Sequence, residues 1–217
     1  MGWTTRSEAS PVKLGILISG RGSNMVSIAE ACASPDFPAD VALVLSDKPT
    51  AAGLDKAASM GIATAVVEPG AFADRGEFEA ALIATLQQHE VEGVCLAGFM
   101  RLLGGGFLAA YRDRVLNIHP SLLPAFPGLD VQQKALDHGV RYSGCTVHFV
   151  TEEMDAGPIV LQAAVPVLGG DDADALAARI LEQEHRAYPE AVRLFAEGRL
   201  HVVGRTVRID TPRTDTV

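Results

Sequence analysis

The run KLGILISGRGSNMVSIAEACA, Lys13 to Ala33, decides the architecture. Lys13 to Ser19 is a short apolar, β-branched stretch, the pattern of a strand buried on both faces of a parallel sheet. Gly20-Arg21-Gly22-Ser23-Asn24 then turns the chain, and Met25 to Ala33 has helical patterning. A strand, a glycine turn and a helix start make an anion cradle: glycines let the backbone approach, and the open amides and helix dipole face negative charge. Read alone, the segment also fits a mere glycine turn. A dinucleotide fingerprint needs a small residue where Met25 sits, and a Walker loop ends in Gly-Lys-Ser/Thr, so neither motif fits. Asp47, after the following strand, resembles a ribose-binding acid and keeps a nicotinamide alternative open.

Outward from this unit the same alternation repeats. Strands are expected over Ala39–Ser46, Ala63–Val67, Val91–Ala97 and up to Leu116, with helices over Ala51–Met60, Gly76–His89 and Phe107–Arg112. Gln132–His138 reads as a helix. Ser143–Val150 and Pro158–Val167 are alternating strands able to run antiparallel around the acidic loop Thr151–Gly157. Asp172–Glu197 is a long helical region in which Pro189 is expected to break or kink the helix, and its pattern sets Glu184 and His185 on the surface. Leu200–Val203 and Thr206–Ile209 form a closing hairpin around Gly204. Repeated strand–helix alternation predicts an α/β fold, an open, mostly parallel, twisted, Rossmann-like sheet flanked by helices, with an antiparallel strand in the C-terminal half. Residues 1–12 read as a flexible tail and Thr211–Val217 as a frayed end. Residues 13–210 read as one domain, with a phosphate-binding half to about 112 and a catalytic half from about 113.

The 217 residues suffice for a substantial single core. A net charge of −9 argues against nucleic-acid or anionic-membrane partners, which need a basic face. Three isolated cysteines, Cys32, Cys95 and Cys145, have neither disulfide-framework nor zinc spacing. With no signal-peptide core or long apolar run, a cytoplasmic protein without bound metal is expected.

The chemistry concentrates in LNIHPSLLP, Leu116 to Pro124. Strand alternation puts Asn117 and His119 on one side, at a strand end where open α/β sheets bind ligands. The plain alternative is a hydrogen-bonded histidine at a strand end. Asp155, before Gly157-Pro158, is either a turn former or a carboxylate that tunes His119. Together the three suit acyl-type transfer: Asn117 and a protonated His119 stabilise a tetrahedral oxyanion, His119 shuttles a proton, and Asp155 favours the imidazolium. Ser121 beside His119 raises a serine hydrolase, although no GxSxG elbow exists. Apolar residues around Gly98 to Leu103 suit either a pocket for a flat ring or core packing.

ISGRGSN, LAGFMRLL, LNIHPSLLPAFPGL, HFVTEEMDAGPI and QEHRAYP resemble, in order and spacing, the phosphoribosylglycinamide formyltransferases, over nearly all of Lys13 to Leu200. That resemblance implies the formyltransferase fold and transfer of a formyl group from 10-formyltetrahydrofolate, as co-substrate, to the amine of glycinamide ribonucleotide in purine biosynthesis. It implies that Gly22, Ser23 and Asn24 hold the ribonucleotide phosphate and that Glu184 contacts the glycinamide substrate. It further implies that Arg75, Met100, Arg101, Leu102, Leu103 and Asn117 border the folate, with Thr151 to Gly157 closing over its pterin. Asn117, His119 and Asp155 are the implied catalytic set, in a monomer or homodimer whose partners are the two small molecules. Asp130 and Gln132 stand where relatives often carry histidines, and Ala125 where a basic residue sometimes stands. Formyltetrahydrofolate hydrolase is the nearest rival; its extra leading domain is expected to be absent, because the first strand begins at Lys13. Methionyl-tRNA formyltransferase fits less well, needing a further C-terminal domain and a basic RNA-binding surface. A non-catalytic nucleotide-binding module would use the glycine loop alone and leave Asn117, His119 and Asp155 unexplained.

Overall fold

The computed structural model describes residues 10–211; the expected N-terminal tail up to residue 9, and the expected frayed end beyond Thr211, lie outside them. The first half alternates as anticipated: β1 (Val12–Ile18), α1 (Ser23–Cys32), β2 (Ala39–Ser46), α2 (Ala52–Ser59), β3 (Thr64–Val66), α3 (Arg75–Gln88), β4 (Gly93–Leu96), α4 (Gly105–Ala110) and β5 (Val115–His119). The second half continues with α5 (Val131–His138), β6 (Tyr142–Phe149), β7 (Ile159–Pro166), α6 (Ala173–Ala196), β8 (Leu200–Val203) and β9 (Thr206–Ile209).

All the strands join one sheet in the order β3-β2-β1-β4-β5-β6-β7-β9-β8. The pairs from β3 through to β5 are parallel. β6 runs antiparallel to both β5 and β7, and is the antiparallel strand expected of the C-terminal half. The closing hairpin is not free-standing: β9 docks parallel on β7 and β8 runs back against β9. Strand order reverses between β1 and β4, which makes the space beyond their carboxyl ends the crevice for a ligand.

Alternation along β1 explains the two cores. Leu14, Ile16 and Ile18 face one side with Met25, Ile28, Ile180 and Tyr188 from α1 and α6. Leu17 faces the other, with Phe78, Leu82 and Leu86 from α3 and Phe107 from α4. The long helix corrects two sequence expectations. Pro189 lies inside a single 24-residue helix and does not break it. An interior proline costs about 3 kcal/mol, but Ile180 and Tyr188 before it and Val192 and Leu194 after it are all buried. Each such side chain contributes roughly 1.5–3 kcal/mol on burial, so both halves remain pinned to the sheet. Glu184 is also buried, only 6% exposed, because it shares the core-facing stripe with Ile180 and Tyr188.

Candidate active site

A cavity of ≈ 900 Å³ opens at the switch point, within the range of small-molecule sites. Its wall includes Ser23 and Asn24, the segment Gly98 to Leu103, Asn117, His119, His148, Thr151, Asp155 and Glu184. The glycine turn forms one end. Gly22 takes φ 68° and caps α1 without any side-chain hydrogen bond, leaving the first-turn amides without a capping side chain. A Cβ on Gly22 would lie 2.9 Å from the Gly53 Cα, so the turn packs backbone to backbone on α2. The Gly53 amide donates to the Gly20 carbonyl at 3.0 Å and holds the turn in place.

Asn24 does more than close the cradle. Its Nδ2 donates to Glu184 Oε2 at 2.6 Å, while its buried Oδ1 has no protein partner. Burial pushes the Glu184 carboxyl above the ordinary glutamate range, against the opposing influence of the Asn24 hydrogen bond and the His119 charge. One N–H of the Asn24 carboxamide is thus engaged by Glu184, while the Asn24 backbone amide stands in the first turn of α1.

At the other end Asn117 and His119 are the last alternating residues of β5, so they project from one face of the strand. His119 is buried, with Nε2–H donating to the Phe126 carbonyl at 2.9 Å. Its Nδ1 lies 3.4 Å from Asp155 Oδ2, longer than the roughly 2.8 Å of a tight charge-assisted bond. Both ring nitrogens face oxygen acceptors, and the doubly protonated ring can donate to both. Asp155 reaches this point from the loop after β6, at φ 52°, and is anchored by the Gly128 amide at 2.8 Å. Gly157 permits the return of that loop, since a Cβ there would stand 1.7 Å from the Phe149 carbonyl oxygen.

His148 was not anticipated. It pairs with Asn117 across β5 and β6, and its Nε2 lies 3.1 Å from Asn117 Nδ2. Its Nδ1–H donates to the Phe149 carbonyl at 2.9 Å, which leaves Nε2 as the acceptor of one Asn117 N–H. Burial holds His148 below the ordinary imidazole value, opposed by the Phe149 carbonyl and Asp155. The neutral ring therefore fixes the Asn117 carboxamide and leaves its second N–H for a ligand. The signal for this pairing was the alternation of Ser143–Val150, but its register spans 31 residues of chain.

The remaining predicted contacts divide. Met100, Arg101, Leu102 and Leu103 line the cavity, with Met100, Leu102, Leu129 and Met154 as exposed apolar side chains suited to a flat ring. Arg101 donates Nε–H to the buried Asp47 at 2.7 Å, so the supposed ribose-binding acid is instead the partner of an arginine. Gly22 and Arg75 are outside the wall. Gly22 supplies the backbone bend, and Arg75 donates to Glu79 at 2.7 Å; Glu79 in turn receives the Gly104 amide. Ser121 is fully buried and donates to the Ala125 carbonyl at 2.6 Å, which removes the serine-nucleophile alternative. Asp130 and Gln132 line the cavity, while Ala125 is not part of its wall. Among the described residues no group of His, Cys, Asp or Glu is placed to hold a metal ion, and no helix is long and apolar enough to cross a membrane.

An open α/β sheet here carries a glycine turn at a helix start and a carboxamide–imidazole–carboxylate set around one crevice, an arrangement suited to group transfer. Comparison with known proteins narrows this. Residues 12–192 match the formyl transferase family. Phosphoribosylglycinamide formyltransferase of Escherichia coli (strain K12) is 43% identical over 198 residues, 91% of this chain and 93% of that protein. The glycinamide ribonucleotide transformylase 1 structure from Symbiobacterium toebii is 54% identical at a TM-score of 0.91, covering 93% of this chain and 95% of that one. The chain belongs to the formyl transferase family and, within it, to the phosphoribosylglycinamide formyltransferases. The trifunctional purine biosynthetic protein adenosine-3 of Gallus gallus is 45% identical over 90% of this chain, which spans only 19% of that protein's length.

Proposed function

We propose that this chain transfers the formyl group of 10-formyltetrahydrofolate to the primary amine of glycinamide ribonucleotide, a step of purine biosynthesis. The observation that carries the reading is the convergence of Asn117, His119 and Asp155 on a cavity whose far end is the open start of α1. The ribonucleotide phosphate takes the amides at Gly22, Ser23 and Asn24, and Glu184 receives polar groups of the glycinamide end. The pterin lies against Met100, Arg101, Leu102 and Leu103, beneath Thr151 to Gly157. Arg75 stands outside the cavity wall and is assigned to the donor's exposed tail.

In the reaction the amine lone pair forms a bond to the formyl carbon, and the carbonyl electrons move to oxygen. The free N–H of Asn117 and the imidazolium of His119 stabilise that oxyanion. The carbon–nitrogen bond to N10 of the folate then breaks as a proton reaches N10, while the former amine loses one. His119 Nδ1, the nitrogen held loosely beside Asp155, relays the proton. Phosphate recognition falls to residues 13–112 and the catalytic set to 113–210 of one domain, with Glu184 reaching back across the division. The chain works in the cytoplasm on these two small molecules, without a metal.

A formyl-transfer assay with both substrates tests the reading. Formylated ribonucleotide appearing with tetrahydrofolate is the expected result. Formate release without a formylated product indicates the hydrolase, and no consumption of either substrate by folded protein overturns the enzyme assignment.

A further inference from the structure

We infer that Arg21 is a further substrate-binding residue, whose guanidinium neutralises the ribonucleotide phosphate and sets the preference for a phosphorylated substrate. The inference rests on the transferase reading and deepens it. Its starting point is the charge of the cavity wall. Five carboxylates lie there, Asp130, Glu153, Asp155, Asp174 and Glu184, against two guanidinium groups, Arg21 and Arg101. A phosphate dianion entering such a site meets net repulsion unless a cation stands close to it. Arg101 is already engaged, its Nε 2.7 Å from the buried Asp47 carboxylate. Arg21 is exposed and, among the described residues, has no carboxylate partner.

Position supports the assignment. Arg21 lies between the two glycines of the turn, one residue before the αL cap of α1, so its side chain leaves the backbone beside the first-turn amides. That backbone is fixed on three sides. The Gly20 carbonyl accepts from the Gly53 amide at 3.0 Å, the Arg21 carbonyl accepts from Lys56 Nζ at 2.9 Å, and Gly22 packs on Gly53. The anchor is therefore preorganised, and only the side chain must be ordered on binding. Its planar fork of N–H donors matches two phosphate oxygens, and the amides serve the third. The amides supply shape and partial charge, while Arg21 supplies a full positive charge beside them that no carboxylate among the described residues pairs.

Steady-state kinetics of Arg21→Ala and Arg21→Lys test this, using glycinamide ribonucleotide and its dephosphorylated riboside as alternative amines, with inorganic phosphate as competitor. Losing a charge-assisted contact is expected to raise KM for the ribonucleotide and the inhibition constant of phosphate by about 10- to 100-fold. The riboside keeps its native kcat/KM, so discrimination between the two amines shrinks by the same factor, and Arg21→Lys recovers part of it. An equal loss with both amines, or an unchanged KM and phosphate inhibition, overturns the assignment. The failures separate: native enzyme that forms no formylated ribonucleotide overturns the functional reading itself. Phosphate binding, followed calorimetrically in native and Arg21→Ala protein, still decides the role of Arg21 in that case, and equal affinity rejects it.

Discussion

Replacing Asp155 with Asn removes a charge and almost nothing else. The Asp155 side chain accepts the Gly128 amide at 2.8 Å, and the Asn carboxamide oxygen can keep that bond. Asp155 also occupies φ 52°, a left-handed conformation that Asn adopts more readily than most residues, so the backbone is not strained by the change. What disappears is the carboxylate 3.4 Å from His119 Nδ1. At an effective dielectric of about 20, a full charge pair at that distance is worth roughly 5 kcal/mol. The Asp155 side chain is 11% exposed, and relaxation and water claim part of that sum. A loss of about 3–4 kcal/mol in the transition state, or about 10²–10³-fold in kcat, is the expected result. KM for the ribonucleotide should move less than about threefold, since an interaction realised in the transition state changes kcat and leaves ground-state binding alone. The assay is formyl transfer at saturating donor, with the melting temperature of each protein measured in parallel. A kcat within about fivefold of native, for a variant of native stability, would refute the electrostatic role given to Asp155.

Other perturbations probe separate parts of the site. His119→Ala should abolish most turnover while ribonucleotide affinity, read by calorimetry, changes little; unaltered turnover would reject the proton relay. Glu184→Gln should lower ribonucleotide affinity and yet stabilise the fold at neutral pH. Burial raises the folded-state pKa of Glu184 above 4.5, so its favourable share of stability is complete below that value and is lost as pH rises through the raised pKa. Melting curves against pH should therefore show the Gln variant gaining on native protein from about pH 4.5 upward, and a constant offset would contradict this. Gly22→Ala should cost about 1–3 kcal/mol, from the left-handed φ and the contact with Gly53 together, and should weaken phosphate inhibition; a neutral melting temperature would show that the turn can shift.

Much of this molecule was legible in its residues. The apolar runs at Lys13–Ser19 and Ala39–Ser46, each followed by turn residues and helical periodicity, placed β1, α1 and β2 within a residue or two. Those are local signals, fixed by side-chain pattern and glycine chemistry. Asn117 and His119 were visible for the same reason, because one strand's alternation carries both. The misses are nonlocal. The role of His148 depends on antiparallel register between β5 and β6, and that of Asp47 on an arginine 54 residues away. Pro189 misled in the opposite sense: its local penalty is genuine, but buried neighbours on both sides outweigh it. A charged residue usually belongs on a surface, and the burial of Glu184 follows from the stripe it shares with Ile180 and Tyr188 together with the Asn24 amide, 160 residues away in sequence.

The Tyr188 hydroxyl lies 3.0 Å from the Leu96 carbonyl and 2.9 Å from the Leu116 carbonyl, where the ends of β4 and β5 flank the crevice. One turn earlier, the same helix supplies Glu184. The residue that closes the seam between β4 and β5 thus stands more than 150 residues after Gly22 in the sequence. Losing α6 from its place would therefore open the seam between β4 and β5 and take Glu184 out of the cavity wall at once. One helix both clamps the sheet and furnishes the crevice, so damage to either task is felt by the other.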